Sequence, residues 1–284
     1  LLIGPPGTGK TLLASRLPGI LPEMCEQEAM EVASISSVCG LDIDNKTWRL
    51  RPFRAPHHTA SAVALVGGGS SPRPGEITRA HRGVLFLDEL PEFERKVLEV
   101  LREPLETGRI TISRAARQSE FPALFQLVAA MIPCKCGWLG DPSGRCRCTS
   151  DQVQRYRDRI SGPLMDRIDM HAEVPRLSFE DMQGPRGECS AAVRERVMRT
   201  RGIQLKRNKT LNSRLTHQQI EEVCALKKGD RLLLQQAVEK LRLSARAYHR
   251  ILKLARTIAD IEQAASIERQ DLMEAVNYRK LDRQ

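Results

Sequence analysis

The residues best equipped for chemistry stand at the start of the chain, in Gly4-Pro-Pro-Gly-Thr-Gly-Lys-Thr11. Gly4, Gly7 and Gly9 let the backbone curl so that its N–H groups face inward on an anion. Pro5, Pro6 and Thr8 fill the positions between them. Lys10 supplies a mobile charge for the outer phosphates of a nucleotide, and Thr11 a hydroxyl for Mg²⁺. A second pair, Asp88 and Glu89, ends the apolar run Val84-Leu-Phe-Leu87. Asp88 suits the magnesium hydration shell, and Glu89 suits the polarisation of an attacking water. Together the motifs spell ATP binding and hydrolysis, with ATP and Mg²⁺ required and Lys10 and Glu89 in catalytic roles. A third group is Cys134-Lys-Cys136 and Cys146-Arg-Cys148, two C-x-C pairs separated by nine residues. Four such thiolates can surround one tetrahedral Zn²⁺. Free thiols are the alternative.

These side chains need elements that hold them in place. Leu1-Leu-Ile3 reads as a strand end, and Leu12, Leu13 and Leu17 mark an amphipathic helix behind the glycine turn. That order puts the phosphate turn between strand and helix, where the helix adds its positive dipole end. Val84-Leu-Phe-Leu87 reads as a strand buried on both faces, as in a parallel sheet. Such sheets bind ligands at the C-terminal ends of their strands, where Asp88 and Glu89 stand. Residues 124–131 are a further buried strand. Residues 23–38 look helical, and Phe93, Val97, Leu98, Leu101 and Leu105 form the stripe of another helix, ended by Gly108. Between them, residues 40–74 are irregular and rich in Gly, Pro, Ser and Arg, as in a long functional loop or hairpin. Residues 109–122 alternate as a hairpin with Arg114 and Arg117 at its tip. Beyond a short strand at 170–174 and Pro175 the character changes. Helical patterns cover 190–206, 216–224, 231–241, 245–261 and 269–280, with capping boxes at Thr216/Gln219 and, more weakly, Ser266/Arg269. The expectation is α/β: a P-loop NTPase parallel sheet sandwiched by helices over residues 1–176, then an all-helical domain over 177–284.

The 284 residues carry a net charge of +10. An ATP-binding domain has no need of that surplus, and nucleic acid is the simplest polyanionic partner; an inert basic surface is the alternative. No apolar run approaches the ~20 residues of a membrane span. Eight cysteines, four of them clustered in a protein that uses cytosolic ATP, favour metal or free thiols over a disulfide framework. The expected location is cytoplasmic. The chain begins inside a strand, so it reads as a fragment whose upstream part is missing.

With these motifs in this order, the chain resembles the AAA+ ATPases. More closely it resembles their magnesium-chelatase-like branch, and within it the ComM/YifB family. The likeness spans essentially the whole chain. It is carried by the phosphate turn, by Arg51-Pro-Phe-Arg-Ala-Pro-His-His-Thr59 and by Gly75-Glu-Ile-Thr-Arg-Ala-His-Arg-Gly83. Arg159-Ile-Ser-Gly-Pro-Leu-Met-Asp-Arg-Ile-Asp169 and Leu243-Ser-Ala-Arg-Ala-Tyr-His-Arg250 complete it. The resemblance implies a hexameric ring with ATP sites between subunits and a helical lid. It implies a motor on single-stranded or branched DNA that drives branch migration in recombination and natural transformation. An upstream domain of the Lon-protease-like type is implied as well. Arg167 then matches the arginine finger that reaches a neighbour's γ-phosphate, and Arg246 the lid arginine known as sensor 2.

One departure stands out. The family pattern Met-Asn-Pro-Cys-Pro-Cys-Gly is here Met131-Ile-Pro-Cys-Lys-Cys-Gly137. The replaced Asn is the sensor 1 residue, which orients the attacking water, and Ile132 has no hydrogen-bonding group. Nucleotide binding is expected to survive while hydrolysis slows. Arg114 and Arg117 are the first candidates for DNA contact. Arg51, Arg54, His57 and His58 come second, or are structural. Two other functions stay open: a chelatase-type motor that remodels a protein partner, and a hydrolysis-poor ring subunit with a structural role.

Overall fold

The computed structural model describes residues 1–42, 44, 47–68, 73–114, 117–185 and 187–279, with the side chains of 113, 114, 117 and 182 outside that description. A run of four apolar residues has no polar face to show to water, so it must be covered on both sides. Val84–Leu87 is accordingly buried at all its positions. It is β5 of a five-stranded sheet that also contains β1 (Leu2–Ile3), β2 (Phe53–Arg54), β8 (Gln126–Met131) and β9 (Ala172–Glu173). The order is β2-β5-β8-β1-β9. β1, β2, β5 and β8 pair in parallel, with Ile3 opposite Met131, Leu87 opposite Ala129 and Phe53 opposite Val84. This register brings Gly4, Asp88 and Ile132, each next after its strand, to one edge of the sheet.

Two small antiparallel pairs stand apart from the sheet: β3 (Gly67–Gly68) with β4 (Arg73–Pro74), and β6 (Arg109–Arg114) with β7 (Arg117–Pro122). The second is the hairpin expected from the alternation. Arg114 pairs with Arg117 at its tip, and both side chains lie outside the described residues.

The helices before the second region are α1 (Lys10–Arg16), α2 (Glu26–Val38), α3 (Ala62–Val66), α4 (Glu76–Arg79), α5 (Arg95–Glu99), α6 (Arg102–Thr107), α7 (Ser150–Arg157), α8 (Gly162–Met165) and α9 (Phe179–Gln183). Two expectations need correction. α1 keeps only part of the expected leucine stripe: Leu12 and Leu13 are exposed, Leu17 just past its end packs partly buried against the sheet, and the close contact is made by Ala14, whose small side chain lets the helix approach Val84, Phe86 and Val128. The helix expected over 93–105 is two short helices, because Pro104 has no N–H to continue the α5 ladder and sits instead in the first turn of α6. Gly108 ends α6 with φ 71°, as expected.

By contact density the chain divides into two compact units, one of residues 1–167 and 173–186, the other of 168–172 and 187–284. The second contains α10 (Ser190–Asn208), α11 (His217–Val223), α12 (Lys228–Leu241), α13 (Ala245–Ile261) and α14 (Arg269–Asn277). Residues 168–172 join it because the His171 N–H donates to the Tyr278 carbonyl at 2.8 Å and Arg279 donates to the Ile168 carbonyl. Its core gathers Leu234, Ile251, Ala255, Ala259 and Leu272 around α13. Beside this core the Asp260 carboxylate accepts from Arg207 (2.6 and 2.8 Å), Asn212 (2.8 Å) and Arg256 (3.1 Å). The Thr216/Gln219 capping box forms as expected. At α14 the box is Glu268 with Asp271, not Ser266 with Arg269. The third helical residue must accept from the cap N–H, and a guanidinium has no acceptor.

The charge surplus is not shared evenly. The helical unit holds 21 of the 45 Lys and Arg but 13 of the 35 Asp and Glu, so eight of the ten surplus charges lie there.

Candidate nucleotide site and four-cysteine cluster

The turn from β1 to α1 takes its shape from glycine. Gly7 and Gly9 have φ of 79° and 81°, the left-handed region that side chains disfavour. Gly4 is needed for a different reason: a Cβ there would lie 2.1 Å from the Val174 carbonyl oxygen. Lys10 is buried and curls back into the turn, its Nζ donating to the carbonyls of Gly4 (2.8 Å) and Pro5 (2.7 Å). Burial holds its amine below the usual lysine range, opposed by the charge of Asp88. Thr8 Oγ1 donates to the same Pro5 carbonyl at 3.1 Å.

The two motifs meet. Thr11 Oγ1 donates to Asp88 Oδ2 at 2.6 Å, across 77 residues of sequence. Asp88 Oδ1 accepts the N–H of Glu89 at 2.9 Å. Glu89 itself has φ 53°, a conformation that costs a non-glycine residue roughly 1–2 kcal/mol. That turn sends its side chain out of the sheet edge, where the carboxylate lies 3.0 Å from His58 Nδ1. The sequence reading had His58 as a secondary DNA contact or a structural residue and missed this partner. The usable signal was position: β2 is the parallel neighbour of β5, so residues just past it arrive at the edge that carries Glu89. His58 also lies ring to ring with His57 (4.1 Å) and edge-on to Phe93 (6.4 Å).

The remaining arginines differ in their surroundings. Arg167 donates to the Glu106 carboxylate at 2.5 Å and to the Pro163 carbonyl at 2.8 Å. Arg246 is exposed in the first turn of α13, in the helical unit. Arg51 is committed within the chain, donating to the carbonyls of Pro22 and Arg82 and to Glu28. Arg54 forms a two-point pair with Glu76 at 2.6 and 2.9 Å. Both side chains are thus engaged within the chain. Ile132 is half-buried directly beyond β8.

The four cysteines also converge. One sulfur from each of Cys134, Cys136, Cys146 and Cys148 lies within 4.8 Å of all the others. Cys134 is 3.4 Å from Cys136 and 3.8 Å from Cys146, and Cys136 is 3.7 Å from Cys146. A tetrahedron with Zn–S bonds of ~2.3 Å has edges of about 3.8 Å, so the donor set fits that metal. The Trp138 N–H, aided by neighbouring thiols and opposed by desolvation, lowers the Cys136 thiol to about 6. At Cys146 the pull of the Cys148 N–H is outweighed by burial and the surrounding thiols, which raise it to about 11. Within the loop between the two C-x-C pairs, Arg145 lies over the Trp138 ring at 3.9 Å.

Residues 1–182 match the family described as magnesium chelatase, subunit ChlI, and residues 187–279 match its C-terminal family. Competence protein ComM of Haemophilus influenzae is 53% identical over 285 residues, covering 100% of this chain and 56% of that protein. The chain belongs to the ComM/YifB family. The uncharacterized protein YifB of Escherichia coli is 51% identical over 289 residues, again with 100% and 56% coverage. The magnesium-chelatase 38 kDa subunit of Cereibacter sphaeroides is more distant, 26% identical over 47% of this chain and 44% of its own length. The chain thus spans about half the length of its ComM and YifB relatives. The parallel sheet, the phosphate turn and the helical unit fit the AAA+ fold of this family, a P-loop core with a helical lid. Among the described residues no helix is long and apolar enough to cross a membrane.

Proposed function

We propose that this chain is the ATPase part of an AAA+ ring that moves on DNA, in the competence setting suggested by the name of its ComM relative. The observation that carries the nucleotide half is the 2.6 Å bond between Thr11 and Asp88. It supports a reading in which the hydroxyl and the carboxylate share one Mg²⁺, with the charge of Asp88 acting on Lys10.

In this reading the amides of the turn and Lys10 receive the phosphates. The Lys10 ammonium exchanges the carbonyls of Gly4 and Pro5 for the outer phosphate oxygens, a better match for a buried cation. Thr11 and Asp88 would hold the magnesium, which would supply charge neutralisation to the phosphates. Glu89 turns from His58 to orient the attacking water. Arg167 acts on the site of the neighbouring subunit once it releases Glu106, and Arg246 supplies the lid contact of the chain's own nucleotide. Such a site works mainly by placing charge, and an arginine finger contributes roughly 10³–10⁵ in rate. The ring is hexameric and cytoplasmic. The four cysteines hold one Zn²⁺ as a structural cross-link.

DNA, single-stranded or branched, is tracked through its phosphates. Arg114 and Arg117 at the hairpin tip are the first contacts, and the surplus charge of the helical unit supports a polyanionic partner. Ile132 supports a second reading, a ring subunit that binds ATP but turns it over slowly. The deciding experiment measures binding to forked and single-stranded DNA against salt. DNA binding predicts an affinity that falls steeply as salt rises, with Arg114→Ala and Arg117→Ala each reducing the slope by about 0.7–0.9. No affinity at low salt would instead favour a chelatase-type motor on a protein partner.

A further inference from the structure

We infer that the four-cysteine site and the phosphate turn form one coupled device, in which a metal held by the cysteines sets the affinity of the turn for nucleotide. The inference rests on the reading of the cysteines as a zinc site. Its basis is a contact between the two loops. After β8 the chain passes Ile132 and Pro133 and makes a tight turn, closed by the Gly137 N–H on the Cys134 carbonyl at 2.8 Å. Two of the four sulfur ligands, Cys134 and Cys136, belong to this turn. Gly137 approaches Pro6 of the phosphate turn closely. A Cβ added there would stand 2.9 Å from Pro6 Cδ, 3.4 Å from Pro6 Cγ and 3.8 Å from Ile132 Cγ2. Its φ of 82° is also one that glycine alone adopts without strain.

Pro6 follows the carbonyl that holds Lys10. The Pro5 oxygen accepts from Lys10 Nζ at 2.7 Å and from Thr8 Oγ1 at 3.1 Å. A shift of Pro6 is therefore felt at the amine and at the loop amides. On its other side the phosphate turn is backed by Val174 against Gly4. It cannot move away from Gly137 without disturbing that approach. The other two ligands, Cys146 and Cys148, return from a loop with positive φ at Gly140 and Gly144 and lead into α7 at its Thr149 cap.

A metal across the four sulfurs closes that loop and fixes the turn that touches Pro6. Without it the turn is held by its own hydrogen bonds and chain connectivity, and the ordering it would otherwise inherit must be supplied when nucleotide binds. Coupling of this kind is reciprocal: nucleotide tightens metal by the factor by which metal tightens nucleotide.

The test compares zinc-loaded protein with protein stripped by a chelator that is then removed. Each is titrated with a fluorescent, non-hydrolysable ATP analogue in Mg²⁺. The stripped form is expected to bind about 5- to 150-fold more weakly, the usual span of such couplings. Zinc release to a chromogenic chelator is expected to slow in saturating analogue. Gly137→Ala separates contact from metal: it should keep one zinc per chain yet weaken the analogue, because its methyl group presses on Pro6. This arm also carries the test if stripping unfolds the protein. Equal analogue affinity in loaded and stripped protein, or in Gly137→Ala and the unmodified chain, would overturn the coupling. Failure to retain zinc in the purified or zinc-incubated protein would instead overturn the metal reading on which it rests.

Discussion

Replacing Ile132 by Asn tests whether the site is built for turnover or only for binding. The residue sits one step beyond β8, which lies between β5 and β1. On the β1 side its register neighbour is Gly4, whose N–H donates to the Met131 carbonyl at 3.3 Å; on the β5 side Asp88 follows Leu87, which is paired with Ala129, and so lies level with Ala130, two residues before Ile132. A polar group at 132 would thus stand between the phosphate turn and the acidic pair. One preorganised donor aimed at developing charge is worth about 10²–10³ in rate, or ~2.7–4 kcal/mol. Ile132→Asn is therefore expected to raise single-turnover ATP hydrolysis by about that factor. The nucleotide Kd should hardly move, because an interaction made mainly in the transition state leaves ground-state binding alone. The half-buried site limits the stability cost to about 1–2 kcal/mol, and Ile132→Val controls for packing without adding an amide. Hydrolysis by Ile132→Asn no faster than by the unmodified chain would refute the assignment of this position.

Three further outcomes are expected. His58→Ala removes the partner that holds the Glu89 carboxylate in its outward position; an exposed pair holds ~0.2–1 kcal/mol, so DNA-independent turnover should rise by up to about fivefold, which steady-state kinetics would detect. Asp260→Asn leaves Arg256, 2% exposed, and Arg207 facing a neutral amide; breaking a buried pair costs about 3–5 kcal/mol, visible as a lower denaturant midpoint, and an unchanged midpoint would deny the cluster its structural role. Burial, helped by the Arg279 charge, lowers the His171 imidazole to about 3. The folded protein therefore keeps it neutral while the unfolded chain takes up a proton below its ordinary pKa of ~6.5. Stability from this residue is intact above that pH and is lost progressively down to about 3, a loss of about 2 kcal/mol by pH 5. Urea unfolding at pH 7.5 and 5 should show the drop in the unmodified chain and a smaller one in His171→Phe.

Much of this site was legible because its parts are local. The phosphate turn needs glycines at fixed offsets from a lysine, and the acidic pair needs an apolar run before it; both patterns survive in a bare string of letters. The C-x-C spacing likewise announced four convergent thiols. What stayed hidden depends on strand order and close approach. Nothing local to His58 says that β2 lies beside β5, and nothing local to Gly137 says that it touches Pro6. Arg51 and Arg54 looked like a basic loop because their acceptors, the Pro22 and Arg82 carbonyls and Glu28 and Glu76, are 22 to 31 residues away. The leucines of α1 misled for a related reason: the helix packs through Ala14, where a small side chain allows the approach that periodicity alone would assign to Leu12 and Leu13.

The most direct measurement is calorimetric titration of the chain with a non-hydrolysable ATP analogue, with and without Mg²⁺. The predicted result is one saturable site per chain, tightened by Mg²⁺. It should be lost in Lys10→Ala and should lose its Mg²⁺ dependence in Asp88→Ala. Absence of binding by the folded, unmodified chain, or binding that survives unchanged in both variants, would contradict a shared pocket for the phosphates and their magnesium.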